Sequence, residues 1–203
     1  ERTDLPSVDE IIALAIDDRQ HFVRLPCLVG MELRWCDKPA EVDRLPDQTL
    51  RRMIAFRLTD GTHGTPQWFL HLVRTRPALV AEVLTAYASR TLTAGKSHVN
   101  GIFALAGDQQ YQPVAALAVP PLLVEFPVPA LPEQLQYLAH LLKAALQYLP
   151  DCLPPLLARK TANKRMDTAQ KVYWYATGML VDAGRWEDAL WDYIARSDTR
   201  VGH

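Results

Sequence analysis

Four cations close together in the chain, Arg159, Lys160, Lys164 and Arg165, are the side chains best suited to grip an anion. Guanidinium and ammonium groups donate charge-assisted hydrogen bonds to phosphate or carboxylate oxygens. The same pattern also has a structural use. Cations at the end of a helix complement its carbonyl dipole, and Asp167 is placed to cap the helix that follows. No aromatic residue is interleaved with the four, so the stacking that accompanies nucleic-acid binding has no support here and the structural use is the stronger reading.

The stretch Thr93–Gly101, TAGKSHVNG, contains Gly95-Lys96-Ser97, the last three positions of a phosphate-binding loop. Such a loop needs a first glycine five residues before the second, because the turn around the phosphate has no room for a side chain. That position is Arg90. Thr91 and Leu92 also continue a helical pattern where a buried strand is required, so Gly95 reads as a helix C-cap with Lys96 close to the terminal carbonyls. Leu122-Leu123-Val124-Glu125 imitates a magnesium-binding strand end, but its prolines and helical lead-in make it a helix end.

Other chemistry-bearing residues are scattered. His21, His63, His71, His98 and His140 form no H-E-x-x-H and have no cysteine at ligand spacing, and Thr65-Pro66 starts a new helix between His63 and His71. No G-x-S-x-G elbow presents a serine nucleophile. Cys27, Cys36 and Cys152 are odd in number and lack a C-x-x-C pair, which fits a reducing compartment better than a disulfide scaffold or a zinc site. Tyr173, Trp174, Tyr175, Trp186, Trp191 and Tyr193 are core residues by spacing, with one or two left to line a surface that a partner could use. Catalytic, cofactor and metal sites are not expected.

The elements that must position these residues are helical. Ser7-Val8-Asp9-Glu10 is a capping box before Ile11, Ile12, Leu14 and Ala15. Asp47 is expected to cap a helix over 50–58, and a further helix is expected from about Leu28 to Trp35, between proline breaks. Thr65-Pro66, Arg76-Pro77 and Leu131-Pro132 each precede apolar residues at steps of three and four, as suits proline in a first helical turn. The helix after Pro132 is apolar on two sides, Leu138 and Leu142 on one and Tyr137, Leu141 and Ala144 on the other, so it must lie between neighbours. Further helices are expected at 99–106, 113–124, 152–162, 168–182 and 186–196. No stretch alternates as a strand does.

With 49% hydrophobic residues in 203, the chain can bury a real core. Its 22 basic and 23 acidic side chains leave no global attraction to nucleic acid or to an anionic membrane. Apolar runs such as Val114–Val124 are too short and too broken by proline to span a bilayer, and no secretory leader is evident. A cytoplasmic setting is expected. The start at Glu1, in charged sequence that leads into a helix signal, suggests a segment of a longer protein.

Gly184-Arg185-Trp186-Glu187-Asp188-Ala189-Leu190 with Tyr193 resembles the second half of a tetratricopeptide repeat, in a single copy. A wider likeness is carried by Pro66-Gln67-Trp68-Phe69, the run from Arg76 to Leu84, Ala104-Leu105-Ala106 before Tyr111, the run from Leu142 to Leu146, and the run from Met166 to Trp174. In these packing and capping patterns the chain resembles the helical-repeat regions that accompany NACHT-type NTPase modules in large bacterial proteins. The resemblance implies a solenoid that senses, scaffolds or restrains, and it carries over no functional residue.

The expectation is therefore an all-α protein, an irregular α-solenoid of antiparallel hairpins of HEAT or tetratricopeptide type. One domain covers 1–203, with room for a looser N-terminal part over 1–46. It should act without catalysis, through contacts with a protein partner or with other domains of the same chain. The alternative is a nucleic-acid-binding solenoid that uses the 159–165 cluster.

Overall fold

The computed structural model describes residues 5–61 and 64–198, and these are helical without strands. The α-helices in chain order are α1 (Val8–Ile16), α2 (Arg24–Asp37), α3 (Asp47–Thr59), α4 (Gln67–Thr75), α5 (Pro77–Thr93), α6 (Ile102–Gly107), α7 (Gln112–Glu125), α8 (Leu135–Tyr148), α9 (Leu153–Thr161), α10 (Thr168–Val181) and α11 (Ala183–Asp198). Short 3-10 turns at Pro39–Arg44, Gln109–Tyr111, Pro132–Gln134 and Pro150–Cys152 fill several of the connections.

Local signals account for most of the boundaries. The Ser7 hydroxyl accepts the Glu10 N–H at 3.2 Å, and the Glu10 carboxylate accepts the Ser7 N–H at 2.6 Å. The bond from the Ser7 N–H to the charged form is the main cause that holds the Glu10 carboxyl below its ordinary range. Pro77 opens α5 at the first turn, and the Asp167 carboxylate accepts the Gln170 N–H at 2.7 Å to open α10.

Other boundaries depart from expectation. Asp47 is not a cap: Pro46, in an extended conformation, precedes the helix, and Asp47 is its first residue. There its carboxylate faces the helix dipole and takes the Arg76 guanidinium at 3.2 Å. The second helix starts at Arg24 and not near Leu28, because Pro26 falls in the first turn, where a missing N–H removes no hydrogen bond. The seventh helix runs through Pro120 and Pro121. Burial of Val114, Ala115, Ala118, Val119, Leu122 and Leu123 along it offsets the hydrogen bonds those prolines remove.

Helices α3, α5 and α7 pack in sequence, each on the next, while α2 meets α4, α6 meets α8, and α8 meets α10. At the C-terminal end α10 lies between α9 and α11, and among the described residues α11 packs substantially on α10 alone. The most distant pair of helices with substantial packing is α1 and α5. Two ion pairs add to it, Arg90 with Asp9 and Lys96 with Asp18, each at 2.6 Å. One continuous apolar core includes Ile12, Leu50, Phe56, Trp68, Leu72, Leu84, Leu122 and Trp174. Helix α8 is buried on both expected sides, Leu138 and Leu142 on one and Tyr137, Leu141 and Ala144 on the other.

Buried polar groups join the connections to this core. The Gln134 amide donates to the Leu92 carbonyl at 2.8 Å. The Gln170 amide donates to the Pro127 carbonyl at 2.8 Å and accepts the Ala130 N–H at 3.2 Å, which ties the loop after α7 onto α10.

Candidate functional site

Gly95 ends a helix. Its N–H donates to the Leu92 carbonyl at 3.0 Å, and the Lys96 N–H donates to the Thr91 carbonyl at 3.1 Å. This 5→2 and 6→1 pair defines a Schellman stop, and the φ of +73° at Gly95 is the left-handed turn it requires. The Lys96 ammonium does not sit on the terminal carbonyls as expected; it reaches Asp18 at 2.6 Å. Tyr137 organises the following loop: its hydroxyl donates to the Ser97 carbonyl at 2.8 Å and accepts the Val99 N–H at 3.0 Å.

The anion-binding candidates divide. Arg159, Lys164 and Arg165 are exposed, at the end of α9 and in the turn after it. Lys160 is turned inward, 5% exposed, and leaves the surface cluster. Its ammonium donates to the Val124 carbonyl at 3.0 Å, satisfying a last-turn carbonyl of α7, and lies 5.6 Å from the centre of the Trp174 ring. Burial, and then the charge of Arg159, push the Lys160 ammonium down to about 8.

Other candidates serve as local supports. His71 bonds Asp43 at 2.8 Å with its ring beside Trp35, and the His21 ring accepts the Val23 N–H at 3.3 Å. His140 stands edge-on to Phe103, and burial lowers its pKa. His98 is exposed, and His63 lies outside the described residues. No group of three metal-ligating side chains converges among the described residues. Burial raises the thiols of Cys27 and Cys152, the opposite of what an activated nucleophile needs. Of the C-terminal aromatics, Trp174 and Trp186 are buried, Tyr175 stacks on Tyr193, and Trp191 is exposed.

A second group of polar side chains, Arg19, Lys96, Ser97 and His98, lines a cavity of about 680 Å³. The C-terminal ends of α1, α3 and α5 border it through Ala15, Thr59 and Thr91. Asp18 lines it too and holds the Lys96 ammonium at 2.6 Å.

A larger concavity has no counterpart in the sequence reading. It is an open groove of about 1070 Å³ with α5 as its floor and α1 and α7 as its walls. The floor is made of short side chains, Ala78, Ala81, Thr85, Ser89 and Thr93 at steps of three and four with Ala86 beside Thr85, which leave a trough where leucines would fill it. Ala13 and Ile16 form one wall, Leu117 and Pro121 the other. The border is acidic, with Asp17, Glu82 and Glu125. Arg90 is paired with Asp9 and Glu82 with Arg51 through two bonds of 3.0 Å, so the border's negative charge comes from Asp17 and Glu125, the latter accepting the Ser89 hydroxyl at 2.5 Å. Two smaller depressions continue from it, one through Ala13 and Asp17, the other through Ala78 and Glu82.

The fold and this groove define an all-α protein with an open, apolar, acid-rimmed trough. No protein-family model matches the chain, and no curated protein and no solved structure is significantly similar to it.

Proposed function

We propose that the chain is a helical-repeat scaffold or sensor module that acts through protein contacts and not through catalysis. Its working surface is the trough over α5, and its ligand is a helical segment of a partner protein or of another domain. The shape of the trough carries this reading. It is open along its length, as a helix lying in it requires, and its volume slightly exceeds the upper end of ordinary small-molecule pockets. Apolar small residues allow close approach of a second backbone, and the acidic border selects an amphipathic helix flanked by lysine or arginine. Sequential packing of α3, α5 and α7 supports a solenoid-like stack, in which helices touch mainly their chain neighbours. Association with an NTPase module in a cytoplasmic bacterial protein belongs to the same proposal.

A displayed library of helical peptides tests it, selected on the wild-type chain and on Ala86→Trp, which fills the trough. Selected sequences should be basic and amphipathic, should bind Ala86→Trp at least tenfold more weakly, and should weaken further with Asp17→Lys and with added salt. A selection that does not distinguish wild type from Ala86→Trp removes the trough from the argument. The nucleic-acid alternative loses Lys160, and labelled duplex DNA or single-stranded RNA should show no saturable binding at ~150 mM salt.

A further inference from the structure

The outer face of α2 is apolar and uncovered. Phe22, in the turn before the helix, is 83% exposed, Leu25 64%, Val29 48% and Leu33 65%. Steps of three and four residues place them in one strip, opposite the side where Met31 is buried and Cys27, Leu28 and Trp35 join the core. With ordinary side-chain areas these fractions amount to roughly 450 Å² of contiguous apolar surface, within the range of a monomer's largest patch, which is often functional.

The strip is complementary to itself. Leu25 and Leu33 lie four residues either side of Val29, and Phe22 and Cys36 seven either side. Two copies running antiparallel about a two-fold axis at Val29 therefore set each Leu25 against the other Leu33 and each Phe22 against the other Cys36. Charge selects the same direction. In a parallel pair the contact between a flanking residue and the one five further on brings Glu32 against Asp37 twice, like charge on like. In the antiparallel pair Glu32 falls opposite Pro26.

We propose that a second copy of this chain docks here, α2 against α2, antiparallel about Val29. Two strips face to face remove roughly 900 Å², under the ~1,200 Å² at which specific stable interfaces begin and in the range of weak, transient ones. The dimer is accordingly weak and separate from the trough over α5.

Sedimentation velocity from ~1 to ~500 μM should show a reversible monomer–dimer equilibrium with a Kd on the order of 10–100 μM. Leu25→Glu with Leu33→Glu should weaken it at least tenfold with an unchanged helical circular-dichroism spectrum. The register has its own test, which holds even if that double variant misfolds. Val29→Cys with Cys36→Ser should form a disulfide dimer under mild oxidation, because the two residues meet on the axis. The wild-type chain should not cross-link through Cys36, since fourteen residues at 1.5 Å separate the two thiols by about 21 Å along the helices. A monomer at ~500 μM, cross-linking through Cys36, or masses beyond the dimer that vanish with Trp191→Ala would each overturn the proposal.

Discussion

Lys160 holds a charge where water scarcely reaches, and its titration should be visible in stability. Burial brings it to about 8 in the folded chain, against ~10.4 for an unfolded lysine. Between those values the unfolded chain binds more protons than the folded one, so this group's contribution to stability rises as pH climbs through the window. Below about 8 both states are charged, and the folded state carries the full burial penalty, partly offset by the Val124 carbonyl and the Trp174 ring. The difference in Tm between Lys160→Met and wild type should therefore favour the variant more at pH 7 than at pH 10. A difference that does not change with pH would show an ordinary, solvated lysine. At the same scale, Gly30→Ala should raise the stability of the dilute monomer by ~0.5–1 kcal/mol in urea denaturation, since helix propensity improves and no neighbour stands within 4 Å.

Among the elements, α10 and α11 meet at a point that admits no side chain. A Cβ at Gly178 would lie 2.6 Å from Cδ2 of Trp186, an aromatic atom held in the packing of α11. Gly178→Ala should destabilise by ~1–3 kcal/mol and shift tryptophan fluorescence to the red as Trp186 is pushed outward. Helix α8 offers the complementary case. Leu142 is 3% exposed, between neighbouring helices, so Leu142→Ala should cost about 2–5 kcal/mol by urea denaturation. A loss under ~0.5 kcal/mol would mean that this face of α8 is solvated.

At the level of the molecule, packing between near neighbours predicts graded stability. Because α11 packs substantially on α10 alone among the described residues, its amides should exchange hydrogen faster than those of α5, which meets α1, α3, α4 and α7. Equal protection in the two helices would indicate a fully cooperative unit. The proposed stack also predicts a radius of gyration above the ~17 Å of a compact chain of this length, by roughly 2–5 Å, in small-angle scattering of the monomer. Concentrations well below the dimer Kd matter, since α2 pairing would itself lengthen the particle.

The amino-acid sequence already carries the all-helical class and several helix starts and stops, because these rest on periodicity and on contacts within one turn. The Ser7 to Glu10 box, Asp167 as a cap, Pro77 at a first turn and the stop at Gly95 are all of that kind. It also showed that α8 must be covered on two sides, since apolar spacing reports burial directly. Which cations face water follows from packing between distant elements: Lys160 reads like Arg159 in the chain, and what separates them is the Val124 carbonyl, 36 residues away. Only the tertiary structure revealed the trough, because the alanines, threonines and serine of α5 are unremarkable helix residues until α1 and α7 stand on either side of them. Phe22, Leu25, Val29 and Leu33 follow the same rule. Their spacing marks one face of a helix, but whether that face meets the core or the solvent depends on where α3 and α4 pack against the other side of α2. Local hydrogen bonding is written in neighbouring residues, whereas exposure is set by elements distant in the chain, and the candidate surfaces of this protein are matters of exposure.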